Sequence, residues 1–411
     1  MEKESISQSK WPRVRKFFND VHLWLGLSSG LIVIAVCFSG TVYVFNTELT
    51  ERATPHLYTA TAEPGARKIS TDSLMQIVTN ASGGKVISIS VPKNPSRTYQ
   101  YNVKKEGDDS RGGIAYMINP YTGEITGNSK EKNGTREFMS TMFSLHRWLL
   151  LDKIEEPIFS SLTNRELGSK ITGWATILFT LGCLTGLIIW FPKKLKNWKQ
   201  GLKVKFNANW KRVNHDLHNT LAFYSLFFLV LMGLTGPQWS FGWYREGLQK
   251  TLGTYKPKDA PKERPLTSKA GIAKPASVES YLQVAAQSLP YEGDYNISIP
   301  SDSSATVMVS KYKQGFFASP APDRLTIDQY SGEILKKEIF KEKPFNERVA
   351  GSIKALHVGN VYGMFTKILY FLACLVATTL PITGTLIWIN KFKKKTKKPV
   401  LVNQHRPLVA N

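Results

Sequence analysis

The chain is 411 residues long and carries 54 Lys and Arg against 31 Asp and Glu, a formal net charge of +23. Most of that excess lies in three short segments beside long apolar runs, which excludes nucleic acid as the partner and points to a lipid bilayer. The three cysteines, Cys37, Cys183 and Cys374, all lie inside apolar runs; none can staple a secreted domain, and single buried thiols act as small apolar side chains.

In chain order, residues 1–20 hold five Lys/Arg and three acids. An apolar run over 21–45 then has no charged residue in 25 positions, more than the roughly 20 residues that cross a hydrocarbon core of about 30 Å. It exceeds the roughly 7–15 residues of a signal-peptide core and has no small-residue cleavage site after it, so it is expected to stay as a span. Segment 49–167 is near balance, 15 basic against 13 acidic. It reads as a helix over 70–81, strands over 86–91 and 99–103, and a strand-turn-strand at Tyr121-Thr122-Gly123-Glu124, where glycine supplies a positive φ.

A second apolar run covers 171–191, and segment 192–212 behind it has eight basic residues and no acid. A third run covers about 217–239. Segment 241–355 is again near balance, 17 basic against 13 acidic, and repeats the pattern with a helix over 277–288, strands over 295–299 and 305–309, and a turn at Tyr330-Ser331-Gly332-Glu333. The fourth run, about 361–389, has one interior charge, Lys367, expected to snorkel to the surface. Seven basic residues and no acid follow it.

Short basic loops stay in the cytoplasm, which puts both termini and the 192–212 loop inside and both long segments outside, in a bacterial inner membrane. Trp24, Trp190 and Trp388 near inner boundaries, and Trp239 and Trp243 near an outer one, agree with an aromatic belt. The expected division is 1–20 inside, a span over 21–48, an outer domain with the His146 segment over 49–167, a span over 168–192, a basic inner loop over 193–212, a span over 213–240, a second outer domain over 241–355, a span over 356–390 and a basic inner tail over 391–411.

The chain is written twice. Phe18-Asn19-Asp20-Val21-His22 through Phe38-Ser39-Gly40 lines up with Asn214-His215-Asp216-Leu217-His218 through Leu234-Thr235-Gly236, at an offset of 196 for both His22/His218 and Gly40/Gly236. Asn119-Pro120-Tyr121-Thr122-Gly123-Glu124 matches Asp328-Gln329-Tyr330-Ser331-Gly332-Glu333, Ser144-Leu145-His146 matches Ala355-Leu356-His357, and Leu184-Thr185-Gly186 matches Ile382-Thr383-Gly384. Some 13 residues around 152–164 are extra in the first half. Both halves start and end inside, so the duplication is parallel and predicts a pseudo-two-fold axis along the membrane normal. The fold class expected is membrane α-helical, with four transmembrane helices in two parallel repeats and two periplasmic α+β domains.

The duplication selects histidines. His22 and His218 fall at the inner ends of the first and third spans, and His146 and His357 on the outer side. An axis between the halves brings each pair face to face, which is what bis-axial haem ligation needs. His215 shares a helix face with His218 and is the alternative inner ligand; the repeat favours His218. Gly26 and Gly30, four and eight residues after His22, leave room for a flat macrocycle or else mark helix packing. Arg147, Arg165 and Lys170 outside and Arg13, Arg15, Lys211 and Arg212 inside are candidate propionate partners. His56 and His405 read as solvated. There is no Cys-x-x-Cys-His, so any haem is non-covalent, of b type. No zinc-like ligand cluster, dinucleotide fingerprint or nucleophile elbow is present in the sequence.

The histidine-opened span His22-Leu23-Trp24-Leu25-Gly26, the Asn119-Pro120-Tyr121-Thr122-Gly123-Glu124 signature, Leu145-His146-Arg147-Trp148-Leu149 and their second-half counterparts resemble the PepSY-associated transmembrane family over about 14–392. The resemblance implies PepSY-like outer domains, and a likeness to inner-membrane di-haem siderophore-iron reductases implies two haems b and a ferric siderophore or other periplasmic acceptor. It leaves the donor as a cytoplasmic reductant or a quinol; some relatives carry a cytoplasmic flavin reductase domain, which is not expected here. Two rivals are a membrane-anchored PepSY binding module without enzymatic activity and a permease component for iron or its chelate.

Overall fold

The computed structural model describes residues 11–392 apart from 109, 111, 193, 194, 258, 262, 263 and 270–273. His405 lies outside the described residues. Eleven α-helices and eight strands are built from them: α1 Trp11–Tyr43, α2 Asn46–Ala53, α3 Pro55–Tyr58, α4 Thr71–Ser82, β1 Lys85–Val91, β2 Tyr99–Lys104, β3 Ile114–Ile118, β4 Ile125–Asn128, α5 Gly134–Trp148, α6 Asn164–Trp190, α7 Trp210–Thr235, α8 Gly242–Thr251, α9 Val278–Ser288, β5 Gly293–Ser298, β6 Val307–Lys313, β7 Asp323–Ile327, β8 Ile334–Glu338, α10 Phe345–Val358 and α11 Gly363–Phe392.

Four helices, α1, α6, α7 (extended by a 3-10 turn to Trp239) and α11, are long and apolar enough to cross a membrane. They form a ring in which α1 packs on α6 and α11, and α7 packs on α11 and α6, so α1 and α7 face each other diagonally. Helix α1 starts ten residues before the expected span because the basic residues Arg13, Arg15 and Lys16 continue its hydrogen-bond ladder. Helix α6 starts on a capping box, with Thr163 and Glu166 bonding each other's backbone. The expected fourth span is two helices. Gly359, at φ +73°, caps α10 in the left-handed region that favours glycine, and α11 begins only at Gly363, which leaves His357 on a separate helix.

Lys367 does not reach for the surface. Its Nζ donates to Glu48 Oε1 at 2.5 Å, and its side chain is 13% exposed, so the charge is met by a carboxylate on α2.

At one end of the bundle all eight strands form a single antiparallel sheet, in the order β4-β3-β2-β1-β5-β6-β7-β8. The two α+β units expected as separate domains are joined where β1 pairs with β5, Ile89 opposite Ile297. Both isoleucines are fully buried, and one hydrophobic core runs from Leu74, Val78 and Ile118 to Tyr281, Leu289 and Leu325. Each unit alone would expose an unpaired strand edge; pairing the two edges satisfies both. Helices α4 and α9 cover the sheet, and Asp72 of α4 accepts the backbone N–H groups of Val278 and Glu279 at the start of α9.

The Tyr-(Thr/Ser)-Gly-Glu signatures are turns. Gly123 and Gly332 sit at φ +74° and +73°, and their N–H groups donate to the Asn119 and Asp328 carbonyls. The Asp328 carboxylate, buried, accepts the N–H groups of Tyr330, Ser331 and Lys269 at 2.8–3.0 Å.

Candidate functional site: two histidine pairs

Two histidine pairs cross the bundle at different levels. At the end bearing Trp11, Trp190 and Trp210 (the basic end), His22 of α1 and His218 of α7 hold their ring centroids 6.3 Å apart with planes at 80°. At the sheet end, His146 and His357, one turn or less from the C-termini of α5 and α10, hold centroids 6.3 Å apart with planes at 60°. Between the pairs lies an apolar layer that includes Leu229, Ala373, Ala377, Cys37, Cys183 and Phe179.

In every ring Nδ1 has a partner on a span to which the histidine does not belong. His22 Nδ1 lies 3.0 Å from Gly182 O and 3.2 Å from Thr185 Oγ1; His218 Nδ1 lies 2.8 Å from Thr383 Oγ1. His146 Nδ1 is 2.8 Å from Val36 O, and His357 Nδ1 is 2.9 Å from Thr235 Oγ1. Among the described residues no hydrogen bond reaches Nε2 of any of the four.

The helix ends that carry the sheet-end pair are held tightly. After α5, Leu149 and Leu150 both take positive φ, 53° and 63°, a strained pair of leucines. Gly168 lies so close under this turn that a Cβ there would stand 2.2 Å from the Trp148 carbonyl. Arg165 stacks on Trp148, 3.8 Å from the ring centroid. The last turn of α10 is fixed by Tyr370, whose hydroxyl donates to the Leu356 carbonyl. Trp239 packs edge-on against His357, 5.0 Å between centroids, and Arg147 Nη2 donates to the Trp239 carbonyl at 3.3 Å.

A cavity of about 560 Å³ opens at the basic end, its wall including His22, His218, Gly26, Phe179, Phe223 and Trp388. That falls in the ~300–1,000 Å³ range of cofactor sites. His215 also lines it, but its side chain is 50% exposed and bonds Asn219. The structure thus brings His218, and not His215, to His22. The two glycines after His22 divide: a Cβ on Gly26 would meet nothing within 4 Å, whereas one on Gly30 would press Pro381 at 3.1 Å. Gly26 therefore faces the cavity and Gly30 packs helices. Of the candidate cations, Arg212 is paired with Asp216 and Arg15 donates to the Ile189 carbonyl; Arg147 and Arg165 stay beside the sheet-end pair. His56 is half exposed against Glu131.

The spacing can be tested against a bound metal. With metal–nitrogen bonds of about 2.0–2.1 Å and a ring centroid roughly 1.1 Å behind its nitrogen, two imidazoles in line across one ion keep centroids about 6.3 Å apart. Both pairs meet that value. Among the described residues no group of three or more His, Cys, Asp or Glu is gathered for a metal ion, so each pair offers two imidazole nitrogens without a third side-chain ligand.

Sequence reading singled out the four histidines that the structure places in pairs and missed the groups that bond them. Ser39-Gly40, Thr185-Gly186, Thr235-Gly236 and Thr383-Gly384 stood in the aligned repeats, where they marked only the duplication; that a hydroxyl and a glycine recur together in all four spans was the available signal.

A family model described as PepSY-associated TM region matches residues 20–391. No curated protein matches.

Proposed function

The chain belongs to the PepSY-associated TM family, and from that premise we propose that it is an inner-membrane electron-transfer protein with two haems b, passing electrons from the cytoplasmic side to a periplasmic acceptor. The observation that supports the reading is the two histidine couples across the bundle, each with ring centroids 6.3 Å apart. His22 and His218 would hold the inner haem, and His146 and His357 the outer one. Bound there, haem would supply reversible one-electron chemistry. The chain's part is to hold each imidazole in place, to keep water out with the apolar layer between the levels, and to offer cations such as Arg147 beside the outer pair.

Orientation rests on the basic segments, which favour the His22/His218 end as cytoplasmic and the sheet as periplasmic. The pseudo-two-fold axis is supported by the sheet register, since Ile89 and Ile297 lie at matching places in the two units and pair with each other. The acceptor proposed is a ferric siderophore: its hard oxygen donors suit ferric iron, and adding one electron gives a ferrous ion that they hold poorly. The donor is a cytoplasmic reductant or a quinol.

The test is a reduced-minus-oxidised absorption spectrum with a haem assay on the purified protein. Two low-spin b-type haems per chain are expected. A haem-free protein that still folds would end this reading and leave a membrane-anchored PepSY binding module.

A further inference from the structure

We infer that Ser39-Gly40, Thr185-Gly186, Thr235-Gly236 and Thr383-Gly384 are four copies of one imidazole seat, positioning residues that fix tautomer and ring plane at both histidine pairs; the inference rests on the di-haem reading for its redox consequence. Each membrane helix carries one copy, α1 and α7 toward the sheet end and α6 and α11 toward the basic end. Each serves a histidine from another helix. A Cβ built on the glycine would meet that ring at 3.1 Å for Gly186 and His22, 3.3 Å for Gly384 and His218, 3.2 Å for Gly40 and His146, and 3.3 Å for Gly236 and His357. The helix-packing glycines Gly30 and Gly233 meet Pro381 and Thr180 instead, so contact with imidazole sets the four apart.

The hydroxyl completes the seat. Thr185 donates to Leu181 and Gly182 carbonyls at 3.0 Å, Thr383 to Thr379 and Leu380 at 3.1 Å, and Thr235 to Leu231 and Met232 at 2.7 and 3.2 Å. Such back-bonding within a helix engages the single hydroxyl proton, so toward imidazole the oxygen can only accept. Beside His22 and His146 the carbonyls of Gly182 and Val36 can only accept as well. Nδ1 is therefore the protonated nitrogen in all four rings. Nε2 keeps its lone pair, and the protein has chosen the ligating tautomer before any metal is present. Ser39 differs in one respect: its hydroxyl bonds Ala35 and Val36 carbonyls, and Val36 O takes the imidazole proton directly.

The test compares full-length purified wild type with Gly186→Ala, Gly236→Ala, Thr383→Val and Thr383→Ser, by electron paramagnetic resonance and redox titration. Gly186→Ala should shift or abolish one of two low-spin signals and Gly236→Ala the other. Thr383→Val should raise the midpoint potential of the inner site, because an imidazole with a weaker Nδ1–H acceptor is a poorer donor; Thr383→Ser should restore it and neither should move the outer site. Glycine variants that leave both signals unchanged, or that each disturb both, would overturn the seats. If the wild type holds no haem, the di-haem reading fails, and ¹⁵N-histidine spectra of the same protein decide the seats: an Nε2–H tautomer at any of the four positions sinks them.

Discussion

Replacing single residues separates the two levels, because each histidine meets only its own partner. Under the proposed di-haem reading, His22→Ala should remove the inner haem or turn it high-spin while the outer one stays reducible by an external reductant, and His357→Ala should do the reverse and stop reduction of an external ferric chelate. His215→Ala should leave both low-spin spectra in place, since its ring is half exposed and bonded to Asn219. A different residue-scale outcome concerns Asp328. Burial pushes its carboxyl up, but the backbone N–H groups of Ser331, Lys269 and Tyr330 outweigh this and hold it below the usual carboxylate range. A lowered folded pKa gives stability that is present above the unfolded value of about 3.9 and fades as pH falls through the folded one. Asp328→Asn, the residue the first unit uses at Asn119, should thus lower the melting temperature at pH 7 and lose that deficit as melts are repeated toward pH 3.

Helices and strands differ in how much of them was legible. The four spans were, because about 20 consecutive apolar residues have few other uses, and so were the turns, where Gly123 and Gly332 need positive φ. The start of α1 was not: a helix obeys hydrogen bonding and does not end where the bilayer does. The separation of α10 from α11 was hidden because Gly359 sits among residues apolar enough to continue a span. Gly359→Ala should cost on the order of 1–2 kcal/mol for the left-handed backbone alone, and more because its Cβ would meet the Tyr370 ring at 2.6 Å. With the last turn of α10 displaced, the haem proposed between His146 and His357 should be lost preferentially on mild heating, followed by its absorbance. The Lys367–Glu48 pair was invisible for another reason: its members are 319 positions apart. Lys367→Met leaves Glu48 without a cation, and the drop in thermal stability should fall short of the about 3–5 kcal/mol of a fully buried pair, since 34% of the Glu48 side chain is open. The double change Lys367→Met/Glu48→Gln should recover part of it; a double variant worse than the single one would show that the pair does not couple α2 to α11.

Across the whole molecule, the sheet seam and the histidine pairs share one property. Each joins a residue from before the 193–212 segment to one from after it: Ile89 to Ile297, His22 to His218, His146 to His357. Neither half holds a complete pair or a closed sheet edge, so each half needs the other to complete both features. Cut within that segment and co-expressed, the two fragments should find each other through the seam and purify together, restoring both spectra, while either fragment alone should aggregate through its open strand. Ile297→Asp, with a charge at the centre of the seam, should abolish that reassembly.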